Sequence, residues 1–146
     1  MTCKQRALLA FAAPFAFLAS ASPAAAAVIH VVKSPTCGCC SDWVEYLRNA
    51  GHQVNVTNAD TAPEAKRLGV PDDLRSCHTA SVGKYALEGH VPAADIARLL
   101  REKPNAAGLA VPGMPAGSPG MEIGAKQPFQ TILFAPDGKR QVFASH

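Results

Sequence analysis

Residues 28–50 read VIHVVKSPTCGCCSDWVEYLRNA, and this stretch decides the fold. Four of its first five residues are β-branched, which predicts a short buried strand. Apolar side chains then recur at helical spacing after the cysteines, and Gly51 offers a C-terminal stop, so residues 39–50 are predicted to form a helix. Three cysteines therefore lie at the turn from the first strand into the first helix.

The segments that follow alternate between strand and helix signals. Strand patterns cover residues 53–58, 79–82 and 85–87, and helix patterns cover residues 63–68 and 92–103. Because crossovers between strands of one sheet are right-handed, the first two strands are predicted to be parallel neighbours. The resulting order, β-α-β-α-β-β-α, resembles the thioredoxin fold, so the predicted class is α/β and thioredoxin-like.

Residues 104–128 interrupt this pattern. They contain five prolines and five glycines, with Met114 and Met121 among them, which predicts a long loop. Two strand patterns follow at residues 129–135 and 141–144, and an Asp-Gly turn signal separates them. The prediction therefore adds a C-terminal β-hairpin to the domain.

The first 26 residues have the composition of an export signal. Lys4 and Arg6 precede an apolar stretch, and three consecutive alanines end the segment as a cleavage site. The apolar stretch is too short to span a bilayer, which takes roughly 20 residues. We therefore predict a removed signal peptide at residues 1–26, a single domain at residues 27–146, and a periplasmic location.

Charge and hydropathy argue against two classes of partner. The net charge of the whole chain is +3, but the leader carries two basic residues and no acidic one, so the mature chain is close to neutral. No run of Lys and Arg exceeds two residues, so neither nucleic acid nor an anionic membrane surface is an expected partner. The mature chain is also predicted not to be embedded in a membrane.

Four cysteines remain once Cys3 leaves with the leader, and three of them form the motif Cys37-Gly38-Cys39-Cys40. A bridge from Cys37 to Cys40 would close almost no loop, so it would stabilise the fold little. Thiols at a helix start suit metal or redox chemistry, because free N–H groups and the helix dipole stabilise thiolate. Cu(I) favours thiolate and thioether ligands, and zinc is the weaker alternative.

Five further residues are candidate metal ligands. Cys77 precedes the third strand and is predicted to face the cluster as a fourth sulfur, although an isolated buried cysteine is the alternative. His78 stands where thioredoxin-like proteins carry a cis-proline that hinders metal binding. His90 precedes the last helix, and either histidine could instead be a structural residue of the strand or turn. Met114 and Met121 could shield the site or bind Cu(I) through their thioethers.

Five short motifs run along nearly the whole mature chain: CGCC at 37–40, SCHTA at 76–80, EGHVP at 88–92, GLAVPGMP at 108–115 and GSPGME at 117–122. Together they resemble a family of small exported metal-binding proteins that includes the CopG-type copper-resistance proteins. The resemblance implies a thioredoxin-like fold, copper bound through the cysteines, and periplasmic copper handling. It also implies a Cu(I)/Cu(II) redox role.

These observations support three hypotheses of function. The first is a periplasmic protein for copper homeostasis or resistance that binds one or more Cu(I) ions through Cys37, Cys39, Cys40 and Cys77. The alternative is a periplasmic thiol-disulfide oxidoreductase with Cys37 and Cys40 as its catalytic pair. The third is a scaffold that docks on a copper exporter or a multicopper oxidase. The sequence leaves open whether the chain is an enzyme.

Overall fold

The computed structural model describes residues 26–146. Its strands are β1 (Val28–Lys33), β2 (Gln53–Asn58), β3 (His78–Val82), β4 (Tyr85–Glu88), β5 (Gly108–Ala110), β6 (Gln130–Phe134) and β7 (Arg140–Ser145). Its helices are α1 (Gly38–Asn49), α2 (Ala62–Arg67) and α3 (Ala93–Glu102), with a 3-10 turn at Asp72–Leu74. The predicted α/β order β-α-β-α-β-β-α is therefore confirmed, with boundaries that shift by one or two residues.

The strands form one sheet in the order β2-β1-β3-β4-β5-β6-β7. Strands β1 and β2 are parallel, as predicted, and β3 is antiparallel to both of its neighbours, β1 and β4. In the β1–β3 register Lys33 pairs with His78. This pairing brings the end of β1, which leads into the cysteine motif, beside the start of β3, which follows Cys77.

Alternation along the strands divides the core between the two faces of the sheet. Leu87 and Leu109 belong to one buried cluster, which also holds Trp43 from α1 and Ile96 from α3. Their neighbours along the strands belong to a second cluster, which holds Ala65 from α2. Because successive side chains of a strand point to opposite faces, α1 and α3 cover one face and α2 covers the other.

The long loop predicted at residues 104–128 is wrong in one respect, because β5 lies within it. Gly108–Ala110 pairs in parallel with β4 and antiparallel with β6, and its three residues are buried. A side chain on Gly108 would collide with the carbonyl oxygen of Ala86, so glycine permits this close strand pairing. Three residues are too few to show strand alternation in a Pro/Gly-rich sequence. The C-terminal hairpin of β6 and β7 is confirmed.

The signal peptide predicted at residues 1–26 falls almost wholly outside the described residues, as does Cys3. Between residues 26 and 146, no helix has the length and apolar character needed to cross a membrane.

Candidate metal centre

The cysteine motif forms the first turn of α1. Cys37 is the N-cap residue, and its Sγ accepts a hydrogen bond from the backbone N–H of Cys40 at 3.3 Å. The Sγ atoms of Cys37 and Cys40 lie at disulfide distance, while Cys39 and Cys77 carry free thiols. The Sγ of Cys39 lies 3.6 Å from that of Cys37, so three sulfurs gather at the helix N-terminus. Cys40 is fully buried, whereas Cys37 and Cys39 are partly exposed.

Cys77 faces this motif from the start of β3, as the sequence predicts. The Sγ of Cys40 lies 3.6 Å from the carbonyl oxygen of Cys77. The four Sγ atoms of Cys37, Cys39, Cys40 and Cys77 all lie within 4.8 Å of one another. Once the Cys37–Cys40 pair is reduced, four sulfurs at these distances are close enough to share one metal ion or to bridge several.

Two imidazoles lie on the other side of Cys77. Its Sγ is 3.3 Å from His78 Nδ1 and 3.1 Å from His90 Nε2. His90 Nδ1 donates to the carbonyl oxygen of Pro119 at 2.8 Å, so the neutral ring has its lone pair on Nε2, toward Cys77. His78 is fully buried, packs against Trp43 with the ring centroids 4.4 Å apart, and has no hydrogen-bond partner for Nε2 among the described residues. Because Nδ1 is the ring nitrogen that faces Cys77, Nδ1 is the candidate ligand atom of His78.

Burial sets the protonation of these groups. Burial and the neighbouring Cys39 raise the pKa of Cys77 to about 11, so its thiol is protonated at neutral pH. Burial and then the charge of His90 lower the pKa of His78 to about 3, so this ring stays neutral. A metal cation bound here would displace the thiol proton, and binding would therefore release protons.

The Pro/Gly/Met loop packs over the cysteine motif. A Cβ on Gly120 would lie 2.7 Å from the backbone nitrogen of Trp43 and 2.9 Å from the carbonyl oxygen of Cys39. A second anchor joins Ser76 Oγ to the carbonyl oxygen of Gly113 at 2.6 Å. These contacts place the backbone next to Met114 and Met121 beside the site. The Met114 side chain is 53% exposed, and Met121 is partly buried.

Sequence reasoning missed a buried carboxylate that holds the Cys77 segment. Glu88 is fully buried on β4. Its Oε1 accepts from the backbone N–H of Ser76 at 2.7 Å and lies 3.4 Å from Arg75 Nε, and its Oε2 accepts from Thr79 Oγ1 at 2.6 Å. The residues on both sides of Cys77 and His78 are thus tied to one side chain. The EGHVP motif contained Glu88, but only the β3–β4 pairing shows its partners.

We expect Thr79→Val to lower the free energy of unfolding by about 1–3 kcal/mol, since it removes a buried donor to a carboxylate. Burial raises the pKa of Glu88 above its ordinary value near 4.5, and the bond from Thr79 offsets part of this rise. A raised folded pKa means that Glu88 favours folding most below pH 4.5 and loses that contribution as pH rises through its folded pKa. The destabilisation should therefore be larger at pH 8 than at pH 4.

Urea unfolding at both pH values measures the destabilisation caused by Thr79→Val, and Thr57→Val at an exposed position on β2 is the control. Equal stability losses in the two variants would contradict the role of Glu88.

Comparisons with known proteins place this chain in a family. Two solved structures of copper resistance protein CopG, forms 1 and 2, are each 42% identical to it over 84% of its length. Form 1 aligns with a TM-score of 0.79 over 98% of its own chain, and form 2 with 0.78 over 99%. The chain belongs to the CopG family of copper-resistance proteins. A search of the curated proteins found no match.

A family model described as a protein of unknown function, DUF411, matches residues 74–121 of this CopG-family chain. The matched segment contains Cys77, His78, His90 and both loop methionines. It leaves out the cysteine motif at the start of α1. The structural matches therefore carry the family assignment.

Proposed function

We propose that this CopG-family chain is an exported copper-binding protein that takes Cu(I) as its cargo at the sulfur site formed by Cys37, Cys39, Cys40 and Cys77. The observation that carries the proposal is the mutual approach of the four sulfurs within 4.8 Å. The similar structures are those of a copper resistance protein, which supports the choice of metal. The predicted signal peptide supports a periplasmic location and a role in copper homeostasis or resistance.

The donor set fits a soft monovalent cation. Thiolates favour Cu(I), and imidazole nitrogen is a ligand for copper and zinc alike. His78 and His90 direct a ring nitrogen toward Cys77 while remaining neutral near pH 7, so both can extend the site without adding charge. Met114 and Met121 would shield the copper or add a thioether as the loop closes over it.

Oxidation of the sulfurs would control loading. With a disulfide between Cys37 and Cys40, two of the four sulfurs are not available as thiolates. Two electrons and two protons from a reductant convert that disulfide into two thiols, and Cu(I) then replaces the thiol protons. We therefore propose an empty oxidised form and a loaded reduced form. A copper redox reaction and a protein partner stay predictions.

Cys37→Ser is expected to weaken Cu(I) binding by at least about tenfold, because a hard hydroxyl replaces a thiolate. The variant is titrated with Cu(I) without oxygen, against a chromogenic chelator, beside Thr36→Ser as a neighbouring control. An affinity and stoichiometry equal to those of the parent protein would exclude Cys37 as a ligand.

Thiol-disulfide exchange is a second candidate, because a partly exposed Cys37 and a buried Cys40 form a C-x-x-C pair at a helix start. An insulin-reduction assay distinguishes the two functions. Turnover that needs Cys37 and is unaffected by a copper chelator would favour the oxidoreductase.

A further inference from the structure

Lys33 is a buried cation beside the sulfur site. It ends β1 with 6% of its surface exposed. Its Nζ donates to the carbonyl oxygen of Ser34 at 3.0 Å and to that of Cys37 at 3.5 Å. Within residues 26–146, no carboxylate lies within 4.0 Å of this ammonium group. Two carbonyl dipoles only partly replace its hydration, so a buried ammonium without a counter-ion is costly.

Two observations place Lys33 beside the segments that carry the thiols. Cys37, whose carbonyl oxygen it contacts, is the N-cap of α1, and His78 is its cross-strand partner on β3. His78 directly follows Cys77, so the cross-strand pairing brings Lys33 next to the segment that supplies the fourth sulfur. Lys33 therefore contacts the N-cap of the helix that carries three sulfurs, and its strand pairs with the one that follows the fourth.

We propose that Lys33 is the fixed counter-charge of the sulfur site, a positioning residue that stabilises the anionic form in which thiolates hold Cu(I). When Cu(I) binds two thiols and two protons leave to solvent, the resulting complex carries one net negative charge. The ammonium group of Lys33 offsets that charge. The anionic complex in turn supplies the counter-ion that Lys33 lacks among the described side chains. The effect of Lys33 on Cu(I) affinity rests on the proposed copper function. The positive potential at the thiols can be tested without copper.

The test compares two alkylating probes on the reduced, copper-free protein. Iodoacetate is an anion and iodoacetamide is neutral, and both transfer their carbon to the thiolate with loss of iodide. Peptide mass spectrometry measures the alkylation rate at Cys37 with each reagent. Because both reagents react with the same thiolate, the fraction of thiolate cancels in the ratio of the two rates. The ratio therefore reports the electrostatic potential at the sulfur. We expect Lys33→Met to lower the iodoacetate-to-iodoacetamide ratio by about three- to tenfold, as removal of a unit charge at a partly buried site predicts.

Matched variants separate charge from structure. Lys33→Arg keeps the charge and should keep the ratio, whereas a merely structural lysine would not be rescued in this way. Lys84→Met removes a charge at the β3–β4 turn, the opposite end of β3 from His78, and should leave the ratio unchanged. Lys33→Gln serves as the neutral variant if Lys33→Met does not fold. A neutral variant that is folded, shown by its thermal melting, and that has the parent ratio would overturn the proposal.

A chelator competition for Cu(I) then tests the consequence. Lys33→Met should bind Cu(I) about three- to tenfold more weakly than Lys33→Arg, by the same charge argument. If the parent protein binds no Cu(I) while the alkylation ratio still depends on Lys33, the copper function fails and the counter-charge stands. If the parent protein binds Cu(I), but neither the alkylation ratio nor the Cu(I) affinity depends on the charge at residue 33, the copper function stands and the role of Lys33 is refuted.

Discussion

Replacing Cys77 with serine should lower the affinity for Cu(I) by at least about a hundredfold, since loss of an outer-shell partner alone costs ten- to a hundredfold. Cys77 belongs both to the group of four sulfurs and to the group formed with His78 and His90. No other residue is shared between these two groups in the described part of the chain. The substitution removes a soft ligand and also the contact that joins the imidazoles to the cysteine motif.

Anaerobic competition against a Cu(I) chelator measures the effect of Cys77→Ser, with Ser81→Ala on the same strand as the control. Serine is close in size to cysteine, so the thermal melting of the copper-free reduced protein should change little. A Cys77→Ser protein that is folded and retains the parent affinity would show that the sulfur on β3 does not bind the metal.

Gly120→Ala should lower the free energy of unfolding by about 2–4 kcal/mol, because a left-handed backbone conformation and a steric clash both oppose the new methyl group. Gly120 has a φ of +80°, and its added Cβ would lie 2.7 Å from the backbone nitrogen of Trp43. The obstacle is helix backbone, which cannot turn aside as a side chain can. The loop must therefore move, and His90 would lose its acceptor, the carbonyl oxygen of Pro119.

Gly124→Ala is a matched control for Gly120→Ala. Gly124 lies in the same loop with a φ of +73°, but an added Cβ would meet nothing within 4 Å. It carries only the conformational cost, about 1–2 kcal/mol. Urea unfolding measures both variants, and Cu(I) affinity should fall about tenfold in Gly120→Ala alone, as expected when a ligating histidine loses its orienting partner. Equal losses in the two variants would mean that the loop does not depend on contact with α1.

Local patterns were sufficient to predict the strand, the cysteine turn and the helix of residues 28–50. The order of elements and the C-terminal hairpin followed from the same alternation and turn signals. The prediction that Cys77 faces the motif needed a resemblance in addition, because the approach of β3 to β1 is a property of the whole sheet. The structure brings His78 and His90 to Cys77 as well, which spacing along the chain does not show.

Other features depend on tertiary pairing and could not be found from local patterns. Strand β5 is held by its neighbours and not by any periodicity of its own, since Gly108 alone permits its approach to β4. Lys33 looks like an ordinary charged residue at the end of a strand, and its burial appears only when the turn after β1 is folded. Glu88 gains its importance from groups on β3 and on the segment before it, which lie outside its own stretch of sequence.

The most direct measurement is an anaerobic Cu(I) titration of the purified protein against a competing chelator, performed on the reduced and the oxidised forms, with Zn²⁺ in parallel. The reduced form should withdraw one or more copper ions from the chelator and prefer Cu(I) to Zn²⁺. The oxidised form should bind Cu(I) at least about a hundredfold more weakly, since it lacks two of the four thiolates. Equal Cu(I) binding by both forms would contradict control by oxidation, and a reduced form that cannot compete for Cu(I) would contradict the copper site itself.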